Sequence, residues 1–181
     1  MNRKSNLLSK QDYKDIARLH VEHINQGFLA TLGIQFLSLL YEAIDNDTKS
    51  VVLVERIGTE IVGFVAGTHG LAPIYRQLLM RPYRLFISLK SCLLSPTALS
   101  NILEIFLISN KGISQDGIPD QELLSIVVNP ANRGANHAEN LFKGLCAHFL
   151  EEGTQAFKIV VGADLERAHA FYTKMGSVAV G

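Results

Sequence analysis

The sequence predicts a mixed α/β (α+β) fold, a central twisted sheet flanked by helices. Two observations carry this. The patterns run helix, helix, β-hairpin and then strand–helix–strand–helix, an order that packs helices onto a sheet. The last part, from about Gln121, has the spacing of a parallel strand pair joined by a helix, and such crossovers are right-handed.

Each element has its own signal. In "DYKDIARLHVEHI", Ile16, Leu19, Val21 and Ile24 recur among charged residues at roughly helical spacing, which predicts an amphipathic helix. "GIQFLSLLYEAIDND" predicts a second helix, ended by a polar cluster. Between them, "NQGFLATLG" predicts a loop that carries apolar residues. In "SVVLVERIGTEIVGFVAGTHG" two β-branched runs, from Val51 and from Ile61, flank a turn at Gly58 and predict a hairpin. "QELLSIVVNP" predicts a buried strand stopped by Pro130. "HAENLFKGLCAHFLEEG" predicts a helix with Ala138, Leu141, Phe142, Leu145 and Phe149 on one face and Gly153 at its end. "AFKIVVGA" predicts a further strand, and "LERAHAFYTKMG" a last helix closed by Gly176. "SVAVG" suggests the stub of another strand.

Composition narrows the function. The chain has 181 residues, enough for one domain, 1–181. With 48% hydrophobic and 19% charged residues it can bury a sizeable core. Lysine plus arginine equals aspartate plus glutamate, 17 each, which leaves no long-range field to hold nucleic acid. Two cysteines, Cys92 and Cys146, make no disulfide framework and fit a reducing cytoplasm. The start has basic residues with no apolar run behind them, so no signal peptide is expected. Between the hairpin and Gln121 lies an apolar, basic segment, 71–119, punctuated by Pro73, Pro82 and Pro96. Arg81, Arg84 and Lys90 interrupt its apolar residues at intervals a bilayer core penalises. A helical cap over the substrate side or a homodimer contact is therefore expected, not a membrane anchor.

The stretch "VVNPANRGANHAENLFKGL" breaks regular structure between a strand and a helix. The first turn of a helix has amides without intrahelical partners and a dipole that favours negative charge, so a loop ending there suits a phosphate. Gly134, Ala135 and Ala138 are small enough to let an anion reach the backbone, and Arg133 can add a charged contact. Neither the P-loop nor the dinucleotide-fold spacing is present.

In this stretch the sequence resembles the GCN5-related N-acetyltransferase family. That family carries [RQ]-x-x-G-x-[GA] after a strand ending in V-x-P, where this chain has Val128, Pro130, Arg133, Asn136 and Ala138. It also carries A-x-x-F-Y-x-K-x-G in its last helix, matched by Ala168, Phe171, Tyr172, Lys174 and Gly176. Two positions depart: Asn136 replaces the middle glycine, and Leu165 stands where relatives often have asparagine. Asparagine tolerates left-handed backbone better than most residues.

The resemblance implies a sheet in which residues 71–119 are a helical insertion between the third and fourth strands. It implies acetyl transfer from acetyl-CoA to a primary amine of a small molecule, with acetyl-CoA as co-substrate and no metal. The cofactor would lie against Ile126, Val127 and Val128 and against the loop of Arg133, Gly134, Ala135, Asn136, His137 and Ala138. Glu122, at the strand start, is the candidate base, with Asp120 the weaker choice. Tyr172 is the candidate acid, because a phenol with an ordinary pKa near 10 stays protonated at neutral pH. As a side chain, His137 at a helix start reads as a surface residue, His20, His23 and His69 as non-ligands, and Cys146 as a small core residue. Phe28 and Leu29 are the expected apolar lip of the substrate site. Relatives with a similar "GFL…LG…FL…LY" start often belong to polysaccharide pathways, which implies a nucleotide-linked amino sugar. The alternative is a catalytically worn cofactor-binding or protein-interaction module, of which Asn136 and Leu165 would be the marks.

Overall fold

A computed structural model describes residues 8–24, 28–89 and 119–180, without the side chains of Phe28 and Ala30. Helix α1 (Lys10–His23) starts with a reciprocal cap. The Ser9 hydroxyl accepts from the Asp12 amide at 3.2 Å, and the Asp12 carboxylate accepts from the Ser9 amide at 2.7 Å. Of the four apolar residues the spacing singles out, Ile16 and Leu19 are buried and Val21 and Ile24 are half-buried against the core, while Ala17 and His20 join the buried face.

The expected loop before residue 33 contains a short helix, α2 (Phe28–Thr31). Residues 28–31 have no proline or glycine to stop a turn of helix, and Gly33, at φ +76° in the first position of α3 (Gly33–Asn46), breaks the continuity of α2 with that helix. Strands β1 (Val51–Ile57) and β2 (Glu60–His69) form the expected hairpin, with Gly58 at φ +61° in its turn.

The segment that begins at Leu71 follows the second described strand rather than the third, because β1 at Val51 is the first strand among the described residues. It opens with α4 (Ala72–Leu79) and α5 (Pro82–Ser88), each with a proline in its first turn, where a missing amide costs little. Ile74, Tyr75 and Leu78 are buried in the main core, so α4 is part of the body of the fold. Residues 90–118 of the segment lie outside the described residues. No helix among the described residues is long and apolar enough to cross a membrane.

Strand β3 (Gln121–Val128) is followed by a single 3-10 turn (Pro130–Asn132) and by α6 (His137–Glu151). Gly153 takes φ +77° at the end of α6. The expected strand over "AFKIVVGA" shrinks to β4 (Lys158–Ile159), and Ser177 to Val180 carry no regular structure. Helix α7 (Glu166–Lys174) ends with Gly176 at φ +89° and a bond from the Ser177 amide to the Tyr172 carbonyl at 2.9 Å, which satisfies a carbonyl the last turn leaves open.

The sheet order is β1-β2-β3-β4, antiparallel across the first two pairs and parallel between β3 and β4. One core cluster joins α1, α3 and α4 to Val52, Phe64, Ala66 and Val127. A second joins α6 to Val65 and Leu123, with Phe171 and Tyr172 of α7 packed against it. The sheet therefore has two covered faces. Apolar side chains along its strands go alternately to one and the other, as the two-residue period requires.

Candidate functional site

Two features of β3 shape the site. First, its pairing with β4 covers only Glu122↔Lys158 and Leu123↔Ile159. Second, the register with β2 shifts at the next residue: Ala66 pairs with Ser125 and Gly67 with Leu123, so Leu124 is skipped. A skipped residue bends a strand. Beyond Leu123 the two parallel strands part, and no described strand pairs with that edge of β3. The Asn129 amide donates to the Val62 carbonyl at 2.8 Å, on the β2 side. Backbone direction alternates along an antiparallel strand, so Val127 also turns to β2 while the amides of Ile126 and Val128 face the open edge. Of the three predicted backbone anchors, two therefore have amides on the open edge and Val127 does not.

The open edge leads to the loop. Gly134 has φ +89°, with nothing within 4 Å of where a Cβ would stand. Asn136 takes φ 60° and ψ 15°, the left-handed conformation, and its side chain makes no cap on α6. The residue that replaces the motif's glycine thus keeps a glycine's backbone. The amides at the start of α6 are left without that cap. Arg133, Ala135 and Asn136 are exposed, and Ala138 is half-buried. His137, expected as a surface residue, is instead drawn in: its Nδ1 lies 3.0 Å from Glu55 Oε2 on β1. The pair stands out only in the fold, because its members are 82 residues apart in the chain.

Glu122 and Tyr172 lie on opposite faces of the sheet. Leu123 belongs to the α6 face, so Glu122 points to the other, where its charge acts on Tyr75 of α4. Burial raises the Glu122 carboxyl above the usual range, and Lys158, with Nζ 3.7 Å away, offsets only part of that. Tyr75 is pushed up to about 12, by burial first and by Glu122 second. Tyr172 packs on the α6 face, 5.3 Å from the Phe171 ring centroid and 6.0 Å from that of Phe142. Burial pushes its phenol up to about 12, so it holds its proton throughout the neutral range.

Other expected residues fall elsewhere. Leu29 packs against the main core cluster, and the Phe28 side chain lies outside the described residues. Arg81 and Arg84 both pair with Glu42 on α3, which ties α5 to α3. Cys146 is half-buried against the second cluster, and burial raises its thiol. A cavity of about 270 Å³ lies between α1, α3 and α5, lined by Lys10, Tyr13, Glu42 and Arg84 among others, and it includes none of the predicted site residues. No group of three or more His, Cys, Asp or Glu gathers as a metal site among the described residues.

Solved structures with the same arrangement decide the fold. Ribosomal-protein-alanine N-acetyltransferase from Brucella melitensis biovar Abortus 2308 superposes with a TM-score of 0.54, over 97% of this chain and 93% of that one, at 15% identity. The chain has the fold of the GCN5-related N-acetyltransferases. A Bacillus halodurans protein matches that fold at TM-score 0.58, covering 96% of this chain and 92% of its own at 16% identity. A further acetyltransferase matches at 0.53, covering 96% and 88% at 19% identity. No family model and no curated protein matches the sequence. Within this acetyltransferase fold the parted β3–β4 edge is followed along the chain by the left-handed loop and the start of α6.

Proposed function

We propose that the chain is an N-acetyltransferase that moves an acetyl group from acetyl-CoA to a primary amine of a small molecule. The observation that carries this is the opening between β3 and β4 after Leu123, which leads along the chain into the start of α6, with Glu122 on one face of the sheet and Tyr172 packed on the other. The amides of Ile126 and Val128 suit an amide-bearing arm. The loop from Arg133 to Ala138, with its left-handed Gly134 and Asn136, suits a pyrophosphate. Acetyl-CoA supplies the acyl group as a thioester. Glu122 takes the proton that the attacking amine sheds, and its raised carboxyl makes it a better base than an exposed glutamate. Tyr172 gives a proton to the sulfur as the carbon–sulfur bond breaks, and burial keeps that proton in place until then. The two side chains approach from opposite faces, so donor and acceptor need not compete for one entrance.

The acceptor proposed is a nucleotide-linked amino sugar. The Brucella structure's own name raises a second reading, a protein N-terminus. Asn136, in the conformation of the glycine it replaces, argues against a worn site. Calorimetry with acetyl-CoA, paired with turnover on a panel of amino-sugar nucleotides and an alanine-ended peptide, tests the proposal. Binding and turnover on a sugar nucleotide support it. Binding without turnover on any amine leaves a non-catalytic module, and no binding removes the cofactor site.

A further inference from the structure

We infer that Glu55 is a positioning residue for the loop, acting through its bond to His137. This rests on the acetyl-CoA reading of that loop. Glu55, Gly63 and Val128 are Cα partners in one row across β1, β2 and β3. Val128 belongs to the α6 face, and a Cβ on Gly63 would come within 3.3 Å of Leu141 on α6. The row therefore points at α6, and the bare Gly63 lets the first turns of that helix approach the sheet. The register of β1 with β2 shifts immediately after Glu55, skipping Val62. The same Val62 carbonyl holds the Asn129 amide, at the other end of the loop. One irregular step in the hairpin thus anchors both ends: Val62 the entry, Glu55 the exit.

The exit needs an anchor. Asn136 gives α6 no side-chain cap, and both Gly134 and Asn136 are left-handed. A chain with two such residues in three has little local reason to hold one shape. The Glu55 carboxylate accepts, so His137 donates through Nδ1, at 3.0 Å. His137 is the first residue of α6, so this bond fixes the amides that follow it.

The test is coenzyme A binding by calorimetry on the full chain, well below each variant's melting temperature. Glu55→Ala should weaken binding about tenfold, the effect of losing a charge-assisted hydrogen bond. His137→Ala should weaken it by a similar factor, and the double variant by no more than either single one, because all three lose the same contact. Glu55→Gln keeps an acceptor but loses its charge, and should fall between the parent and Glu55→Ala. A merely structural role would lower melting temperature and leave affinity alone. Unchanged affinity in Glu55→Ala, losses that multiply in the double variant, or a Glu55→Gln as weak as Glu55→Ala would each overturn the inference. If Glu55→Ala does not fold, His137→Ala decides by itself, with unchanged affinity counting against the anchor. A parent chain that binds no coenzyme A removes the cofactor reading, and this inference with it.

Discussion

A phenol packed against two aromatic rings differs from a phenyl ring there by one oxygen. The rings of Phe142 and Phe171 pack against Tyr172, and burial keeps it protonated, so one atom can be tested cleanly. Tyr172→Phe should lower turnover about tenfold, about 1.4 kcal/mol of barrier, and leave coenzyme A affinity nearly intact. A variant as fast as the parent on the chemical step would make the residue packing only. His20 offers a test of folding. Its Nδ1 lies 2.6 Å from the Tyr41 hydroxyl, and burial lowers its pKa from 6.5 to about 4. The fold favours the neutral ring, while the unfolded chain takes up a proton near pH 6.5. The stability is therefore whole above that pH and lost as pH falls toward 4. At about 1.4 kcal/mol per pKa unit the loss is about 3 kcal/mol. Urea unfolding between pH 7 and pH 4.5 should show it, with a flatter dependence in His20→Gln. Equal slopes would place the titration elsewhere. At this scale the sequence tells which residues can have special backbone, and Asn136 is one. It does not tell which side chains meet, and no local pattern links Glu55 to His137.

Among elements, those defined by their neighbours in the chain were legible. The hairpin around Gly58, α6 with its buried face and Gly153, and α7 with Gly176 all lie where periodicity and glycine placed them. The second parallel strand was not. "AFKIVVGA" has the composition of a strand, yet only Lys158 and Ile159 pair, because β3 skips Leu124 and turns away. Composition reports what a segment could pair with, not how far its partner stays alongside. The loop is the element with the sharpest test. Gly134 has open space around its missing Cβ, so a larger side chain there is opposed by the backbone at φ +89° rather than by a clash. Gly134→Val should force the loop from its shape at a cost of about 1–3 kcal/mol, and coenzyme A affinity should fall about tenfold or more. Equal affinity by calorimetry would move the phosphates away from this loop.

Across the whole molecule, the two faces of the sheet do different work. Helices α1, α3 and α4 cover the face of Glu122, and α6 with α7 cover the face of Tyr172. The sequence indicated both layers but left the segment after Leu71 as an addition to them. Its first helix is core, because Ile74, Tyr75 and Leu78 complete the cluster beneath α3. Apolar residues are counted easily from a sequence, whereas the surface that covers them is a property of the assembled layers. The parting of β3 from β4 also sets a clock for solvent. Backbone protons of Val65 and Phe64, held between two ladders, should exchange with deuterated water only when much of the sheet opens. Those of Ile126 and Val128, on the edge that β4 abandons, should exchange by far smaller fluctuations. Coenzyme A laid along that edge should slow these two residues selectively and leave the amides of β1 and β2 at their own pace.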